Sequence, residues 1–353
     1  MQKLLAINFG GIGDEILFLP VLASIKEANP HLHITLLLEP RSKAIKDISN
    51  LIDDIKLFDI KKRPLLSNDY WQLVQILRSG NYDTVISSGS TPLVCCLLFA
   101  SGIPQRIGYD SGLLSHYLLS HPVKLNRHQY ASNMYHDLVQ GLSLKHKHVI
   151  PNIQIPNKNL TNMQNWLSER FANKKQGRKV IIHPGTSKLA LKKGIIKTWS
   201  AYNWASLIAQ LTKNSDTQVI LAGGPDDNET IDQINHELEK NKSFSQSKDF
   251  FTSAYGETKS LADLAALLWL SDLLICVDSA PMHIAVALNK QILALFGPTN
   301  PEHLLPVSPQ CRYLKDNSHS KNDRNVKVKK GINIPINTVY QSALNLLQIV
   351  KVQ

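Results

Sequence analysis

The stretch Leu4-Leu5-Ala6-Ile7-Asn8-Phe9-Gly10-Gly11-Ile12-Gly13-Asp14-Glu15 decides the fold. A short apolar run breaks at a glycine-rich turn, and beyond it Ile16, Leu19, Leu22 and Ile25 recur at helical spacing on one face. Strand, loop and helix in that order form the unit from which parallel sheets are built. The pattern returns in the first half with strands expected at Ile34 to Leu38 and Thr84 to Ser87. In the second half, Val180 to Ile182, Val219 to Leu221, Leu273 to Val277 and Ile292 to Phe296 read as strands buried on both faces. The expectation is an α/β protein with two open, doubly wound sheets.

Length agrees, since 353 residues exceed what one hydrophobic core usually organises. The stretch 145–177 mixes Pro151, Pro156, several asparagines and the basic pair Lys174 and Lys175, so the interdomain connection is expected there. Domains are placed at 1–158 and 159–334, with Leu160 to Phe171 opening the second. A helical stripe from Val339 to Val350 marks a final helix, within 335–353, expected to pack back on the first domain. Cys311 to Gly331 is polar and basic and reads as a mobile loop. No repeat of fixed period is visible, which excludes a solenoid.

Composition narrows the function classes. With 43% hydrophobic and 19% charged residues the chain is globular, not disordered. Cys95, Cys96, Cys276 and Cys311 lack the paired spacing of a zinc ribbon or redox dithiol, so reduced thiols and no bound metal are expected. With no charged-then-apolar leader and no apolar run near 20 residues, the cytoplasm is the expected location. The net charge of +11 favours acidic partners. Clusters such as Lys61, Lys62 and Arg63, or Lys327, Lys329 and Lys330, have no interleaved aromatics to stack single strands, so nucleic acid is not expected. Phosphorylated substrates and an anionic membrane face both fit that charge, which alone does not choose between them.

Five strand-end loops carry the chemistry. In the first, Gly11 and Gly13 free backbone N–H groups at a helix start, but a dinucleotide fingerprint would need a third glycine where Ile16 stands. That disfavours an oxidoreductase. Asp14 would repel a pyrophosphate there; it either caps the helix, the commoner use, or accepts a proton from a sugar hydroxyl. The second loop, His183-Pro184-Gly185-Thr186-Ser187, followed by Lys197, Trp199 and Trp204, offers hydroxyls and a lysine suited to a diphosphate. The third, Gly223-Gly224-Pro225-Asp226-Asp227-Asn228-Glu229, offers an acid for ribose hydroxyls or merely a helix cap. The fourth, Asp278-Ser279-Ala280-Pro281-Met282-His283, opens a helix with anion-binding geometry. The fifth is Phe296-Gly297-Pro298-Thr299-Asn300-Pro301.

Together these loops, with Pro20 and Arg106-Ile107-Gly108-Tyr109, resemble glycosyltransferase family 9, the heptosyltransferases that add heptose to the lipopolysaccharide core, over nearly the whole chain. The resemblance implies a GT-B fold, two Rossmann-like doubly wound domains facing a central cleft, with acceptor bound by the first and nucleotide sugar by the second. It implies that Asp14, beside Gly11 and Gly13 on the acceptor side, is the general base and that Lys197 neutralises the diphosphate. Thr186 and Ser187 would bind phosphate oxygens, an acid near Asp227 the ribose, Asp278 the sugar hydroxyls, and Ser279, Ala280 and His283 the diphosphate end. Asp226 and Glu229 compete with Asp227 for the ribose. The family usually has glycine at the position of Ala280, whose methyl group stands where backbone passes the ligand. The donor implied is a nucleotide diphosphate sugar, ADP-linked, with no cofactor or metal. Lysine and helix dipole replace the metal at the leaving group of an inverting transfer. A UDP- or GDP-sugar transferase or epimerase, and a non-catalytic nucleotide-sugar binder, are the alternatives.

Overall fold

The computed structural model describes every residue except 62–64, 145–146, 173, 175–176, 193, 214–215, 242–243, 318–330 and 350–353. The chain forms two compact units, Met1–Gln154 and Ile155–Gln353.

The first unit contains strands β1 (Lys3–Ile7), β2 (His33–Leu38), β3 (Asp54–Leu57), β4 (Thr84–Ser87), β5 (Gln105–Tyr109) and β6 (His121–Val123). Its helices are α1 (Ile12–Ala28), α2 (Ser67–Arg78), α3 (Pro92–Ala100), α4 (Leu113–Leu118) and α5 (Ala131–His136). The strands lie in the order β3-β2-β1-β4-β5-β6, all parallel. The order reverses between β1 and β4, and ligands of open α/β sheets bind outside the strand carboxyl ends at such a reversal.

The second unit repeats the plan. Its strands are β7 (Arg178–His183), β8 (Thr217–Leu221), β9 (Phe251–Ser253), β10 (Leu273–Val277), β11 (Gln291–Phe296) and β12 (Cys311–Lys315). Helices α6 (Asn157–Arg170), α7 (Lys188–Lys192), α8 (Ala201–Thr212), α9 (Asn228–Lys240), α10 (Leu261–Trp269), α11 (Ala280–Ala287), α12 (Pro301–Leu304) and α13 (Ile336–Ile349) accompany them. The order β12-β11-β10-β7-β8-β9 puts the reversal between β10 and β7. All its pairings are parallel.

The central strands are the apolar runs of the sequence. Leu4, Leu5 and Ala6, or Leu273 through Val277, are fully buried, and each large aliphatic side chain among them contributes roughly 1.5–3 kcal/mol of transfer free energy. Helix starts follow the caps written in the sequence: Ser200 accepts the Asn203 N–H before α8, and Ser260 exchanges bonds with Asp263 at the start of α10.

One expectation is corrected. Part of the stretch expected as a mobile loop is β12, an edge strand whose half-exposed residues leave no buried apolar run to read; the rest of that stretch includes 318–330, which lie outside the described residues. The last helix, α13, belongs to the second unit. Its buried stripe of Val339, Ala343, Leu346 and Leu347 joins the second unit's own core with Trp199 and with Trp204 and Ile208 of α8, where the sheet face beside β10 and β11 needs a cover.

Candidate functional site

In the first unit, β1 delivers the glycine turn to the sheet's carboxyl edge. Gly11 caps α1, and its N–H donates to Asp14 Oδ2 at 2.8 Å, so Asp14 stands one turn inside the helix and not at the cap itself. A Cβ on Gly10 would collide with the Asp14 Cβ, so no side chain fits where the turn folds over that acid. Asp14 lines a cavity of about 350 Å³ at the ends of β1 and β4. Ser87, Ser88 and Ser90 supply hydroxyls, and Leu73, Leu77, Val94, Leu97 and Leu98 supply apolar walls. Ser88 donates to Asn8 Oδ1 at 2.5 Å, and Asn8 Nδ2 donates to the Asp14 carbonyl at 3.3 Å, which ties the two loops together.

Tyr135 of α5 also lines this cavity and is hydrogen-bonded to the Asp14 side chain. Burial, and next the charge of Asp14, hold its phenol well above the ordinary range, so it remains a donor. No motif marked Tyr135; its distance along the chain hides it. Glu15, beside Asp14, is buried with both oxygens shut away from solvent. Burial pushes its carboxyl up to about 8; the Asn8 side chain pulls it back, the charge of Asp14 pushes further, and the Gly10 N–H and the Glu39 charge act in turn. A carboxylic acid therefore sits neutral beside the candidate base near pH 7.

In the second unit, register collects the loops. His183 pairs with Cys276, Ile182 with Leu221, and Val277 with Leu295, so the loops after β11, β10, β7 and β8 leave the sheet at one edge. Lys197 Nζ and Asp278 Oδ2 meet there at 2.5 Å, their side chains 17% and 5% exposed. Behind Lys197 the chain is anchored by Trp199 and Trp204, both buried and packed edge to face with centroids 4.9 Å apart. Ile332 N–H donates to Thr198 O at 2.7 Å and Trp199 Nε1 to Ile334 O at 3.1 Å, which straps the lysine loop down.

Asp227, one of the acids expected near the ribose, is held between two loops. It is buried, accepts the Gly224 N–H at 2.8 Å, and lies 3.6 Å from His183 Nε2. A Cβ on Gly185 would collide with Asp227 Oδ1, so this glycine lets the His183 loop close over the carboxylate. Burial holds the His183 imidazole below its ordinary value while Asp227 opposes that shift. Asp227 braces two loops, and Asp226 and Glu229 are the exposed acids beside it. Thr186 is buried, whereas exposed Ser187 accepts the Ala190 N–H at 3.3 Å at the start of α7. Ser279 caps α11, Ala280 begins it, and His283 is buried one turn on.

All four cysteines are free; Cys95 and Cys276 are buried and Cys96 is exposed. Among the described residues no cluster of three or more His, Cys, Asp or Glu side chains is arranged to hold a metal ion. None of the described helices is long and apolar enough to cross a membrane.

Two parallel six-stranded sheets with polar loops gathered at their carboxyl edges define a GT-B glycosyltransferase fold. The chain superposes on the crystal structure of a family 9 glycosyl transferase from Veillonella parvula with a TM-score of 0.77, at 22% identity, covering 98% of this chain and 97% of that one. Against E. coli ADP-heptose lipopolysaccharide heptosyltransferase II the TM-score is 0.74, at 20% identity, covering 99% and 100%. The chain belongs to glycosyltransferase family 9 (heptosyltransferase), whose sequence model matches residues 70–332. A putative glycosyltransferase of Haemophilus influenzae is 25% identical over 298 residues, 82% of this chain and 80% of that protein. The protein is accordingly a transferase enzyme.

Proposed function

We propose that the enzyme moves a heptose-like sugar from an ADP-linked donor to a lipopolysaccharide-core or other lipid-linked glycan, with inversion and without a metal. The observation that carries this reading is Asp14: it is the one acid among the described residues lining the first unit's cavity, where serine hydroxyls and aliphatic walls suit a sugar acceptor. Its Oδ2 is fixed by the Gly11 N–H and its carboxylate is oriented by the Tyr135 hydroxyl, leaving lone pairs for an acceptor hydroxyl. As that hydroxyl gives its proton to Asp14, its oxygen attacks the anomeric carbon and the bond from that carbon to the diphosphate breaks. The leaving diphosphate carries away negative charge, which Lys197 and the amides opening α11 stabilise. One displacement suffices, and no covalent sugar intermediate forms.

In the free enzyme Lys197 is held by Asp278, so the lysine waits at the strand edge in a defined position. Asp278 then takes donor sugar hydroxyls, with Thr186, Ser187, Ser279, Ala280 and His283 grouped at the same sheet edge for the diphosphate, and an acid of the loop carrying Asp226, Asp227 and Glu229 at the ribose. The ADP linkage is supported by the name of the E. coli heptosyltransferase on which the fold superposes. A lipid-linked acceptor places the enzyme at the inner face of the cytoplasmic membrane, where its charge of +11 favours anionic lipid.

Titration with ADP, UDP and GDP tests the donor: ADP should bind tightest. Preferred binding of UDP or GDP would replace the ADP assignment, and binding of none would overturn the donor site.

A further inference from the structure

The two helical layers of the first unit differ in what they show to solvent. Right-handed crossovers put α2, α3 and α4 on one face of the sheet and α1 on the other. Leu73 and Leu77 of α2, Cys95 and Leu98 of α3, and Leu119 after α4 share one core cluster with Leu5 and Ile7 of β1. The outer side of α3 and α4 is largely apolar. Leu113 and Tyr117 are each 80% exposed and Phe99 is 54% exposed, and Leu93 and Leu114 are exposed in the same two helices, α3 and α4, which pack on each other. On α3 the outward residues Leu93, Cys96 and Phe99 recur every third position, and on α4 Leu113 and Tyr117 are one turn apart, so each helix carries a stripe. Among the described residues of α1 and α5 there is no exposed large hydrophobic side chain. Exposed apolar residues concentrated on one layer mark a contact surface, whereas scattered ones do not.

Charge identifies the partner. From Thr84 to His136 the only acid is Asp110, against Arg106, Lys124 and Arg127. The Arg106 guanidinium lies 5.6 Å from the Phe99 ring centroid and donates to the Leu118 carbonyl at 2.8 Å, which seats a cation between the α3 and α4 stripes. Arg78 donates to the Ala100 carbonyl at 2.8 Å, at the far end of α3. A second copy meeting this surface would bring the same cations together, whereas lipid phosphates would pair with them. An exposed tyrosine on an aliphatic stripe, as Tyr117 is, suits a headgroup boundary.

We propose that the outer surface of α3 and α4 is a membrane-docking face that seats on an anionic bilayer, with Leu113, Tyr117 and Phe99 entering the headgroup boundary and Arg106 at the lipid phosphates. This extends, and rests on, the reading of a lipid-linked acceptor. Val94, Leu97 and Leu98 of α3 line the Asp14 cavity, so one helix has the acceptor pocket on one side and the bilayer on the other.

The test is co-sedimentation of the full chain with phosphatidylcholine vesicles, with and without phosphatidylglycerol. The wild type should sediment with the anionic vesicles only. The variant Phe99→Ser/Leu113→Ser/Tyr117→Ser should lose about tenfold or more in partitioning while its melting temperature and ADP affinity stay unchanged. Tyr117→Ser alone, at a position exposed enough to spare folding, should show a smaller loss in the same direction. Wild-type binding that the triple variant retains would overturn the proposal. So would absence of wild-type binding, or a wild-type dimer in sedimentation that the substitutions dissociate. Nucleotide titration reports on the transferase reading separately, so failure of either is recognisable by itself.

Discussion

Each unit sets an aspartate at a strand end beside the reversal of its sheet, and the two aspartates have opposite neighbours. Asp278 is held by the ammonium of Lys197, whereas Asp14 sits next to another acid, Glu15. A carboxylate in partial burial is tolerated when an opposite charge balances it, or when a competing acid keeps its proton. The second unit uses the first solution and thereby stores a cation at the proposed diphosphate site. The first unit uses the other, leaving the carboxylate of Asp14 without a cationic partner in direct contact among the described residues, as a proton acceptor requires.

The largest effect that would break this contrast is at Asp14. Asp14→Asn keeps the shape and the contact with Gly11 but removes the proton acceptor, so transfer should fall by about 10²–10⁴ with nucleotide affinity near normal. Retained turnover, measured by mass spectrometry of the acceptor product, would remove Asp14 as base. Next is Lys197→Ala, which deletes the stored cation. ADP binding should weaken by a factor on the order of ten to a few hundred in calorimetric titration. An unchanged dissociation constant would leave the lysine a merely structural partner of Asp278.

The smallest effect sharpens the role of Glu15. Its folded-state carboxyl holds a proton up to about 8, above the value of an unfolded glutamate. Stability from this group is therefore fully present at acid pH and is lost as pH rises toward 8, at about 1.4 kcal/mol per pH unit across that window. Glu15→Gln should flatten the dependence, gaining on the wild type as pH rises from about 5 to about 8 in denaturant titrations. Parallel wild-type and variant curves would show that Glu15 does not titrate in that range.

The contrast also explains what was legible in the sequence. Central strands announce themselves because parallel strands covered on both faces are unbroken apolar runs, as at Leu273–Val277. The edges do not: β3, β6 and β9 are short and half-exposed, β6 contains Pro122, and β12 passes for loop. Among site residues, Asp14, Lys197 and Asp278 follow strands or precede tryptophans in recognisable stretches. Asp227 was legible as an acid on the right loop but not as a buried one, because its burial depends on the His183 loop closing over it at Gly185. Tyr135 carries no local signal, since what matters is the fold that returns α5 to the β1 turn.

The strap of Ile332 and Ile334 across Thr198 and Trp199 makes the placement of Lys197 depend on a segment far downstream of it. Shortening the protein from its carboxyl terminus past Gly331 would leave every side chain proposed to hold the donor in the gene yet unclasp the lysine. The same cut removes α13 and its core residues Val339, Ala343, Leu346 and Leu347, so the folding of the second unit and the seating of the lysine depend on one terminal segment.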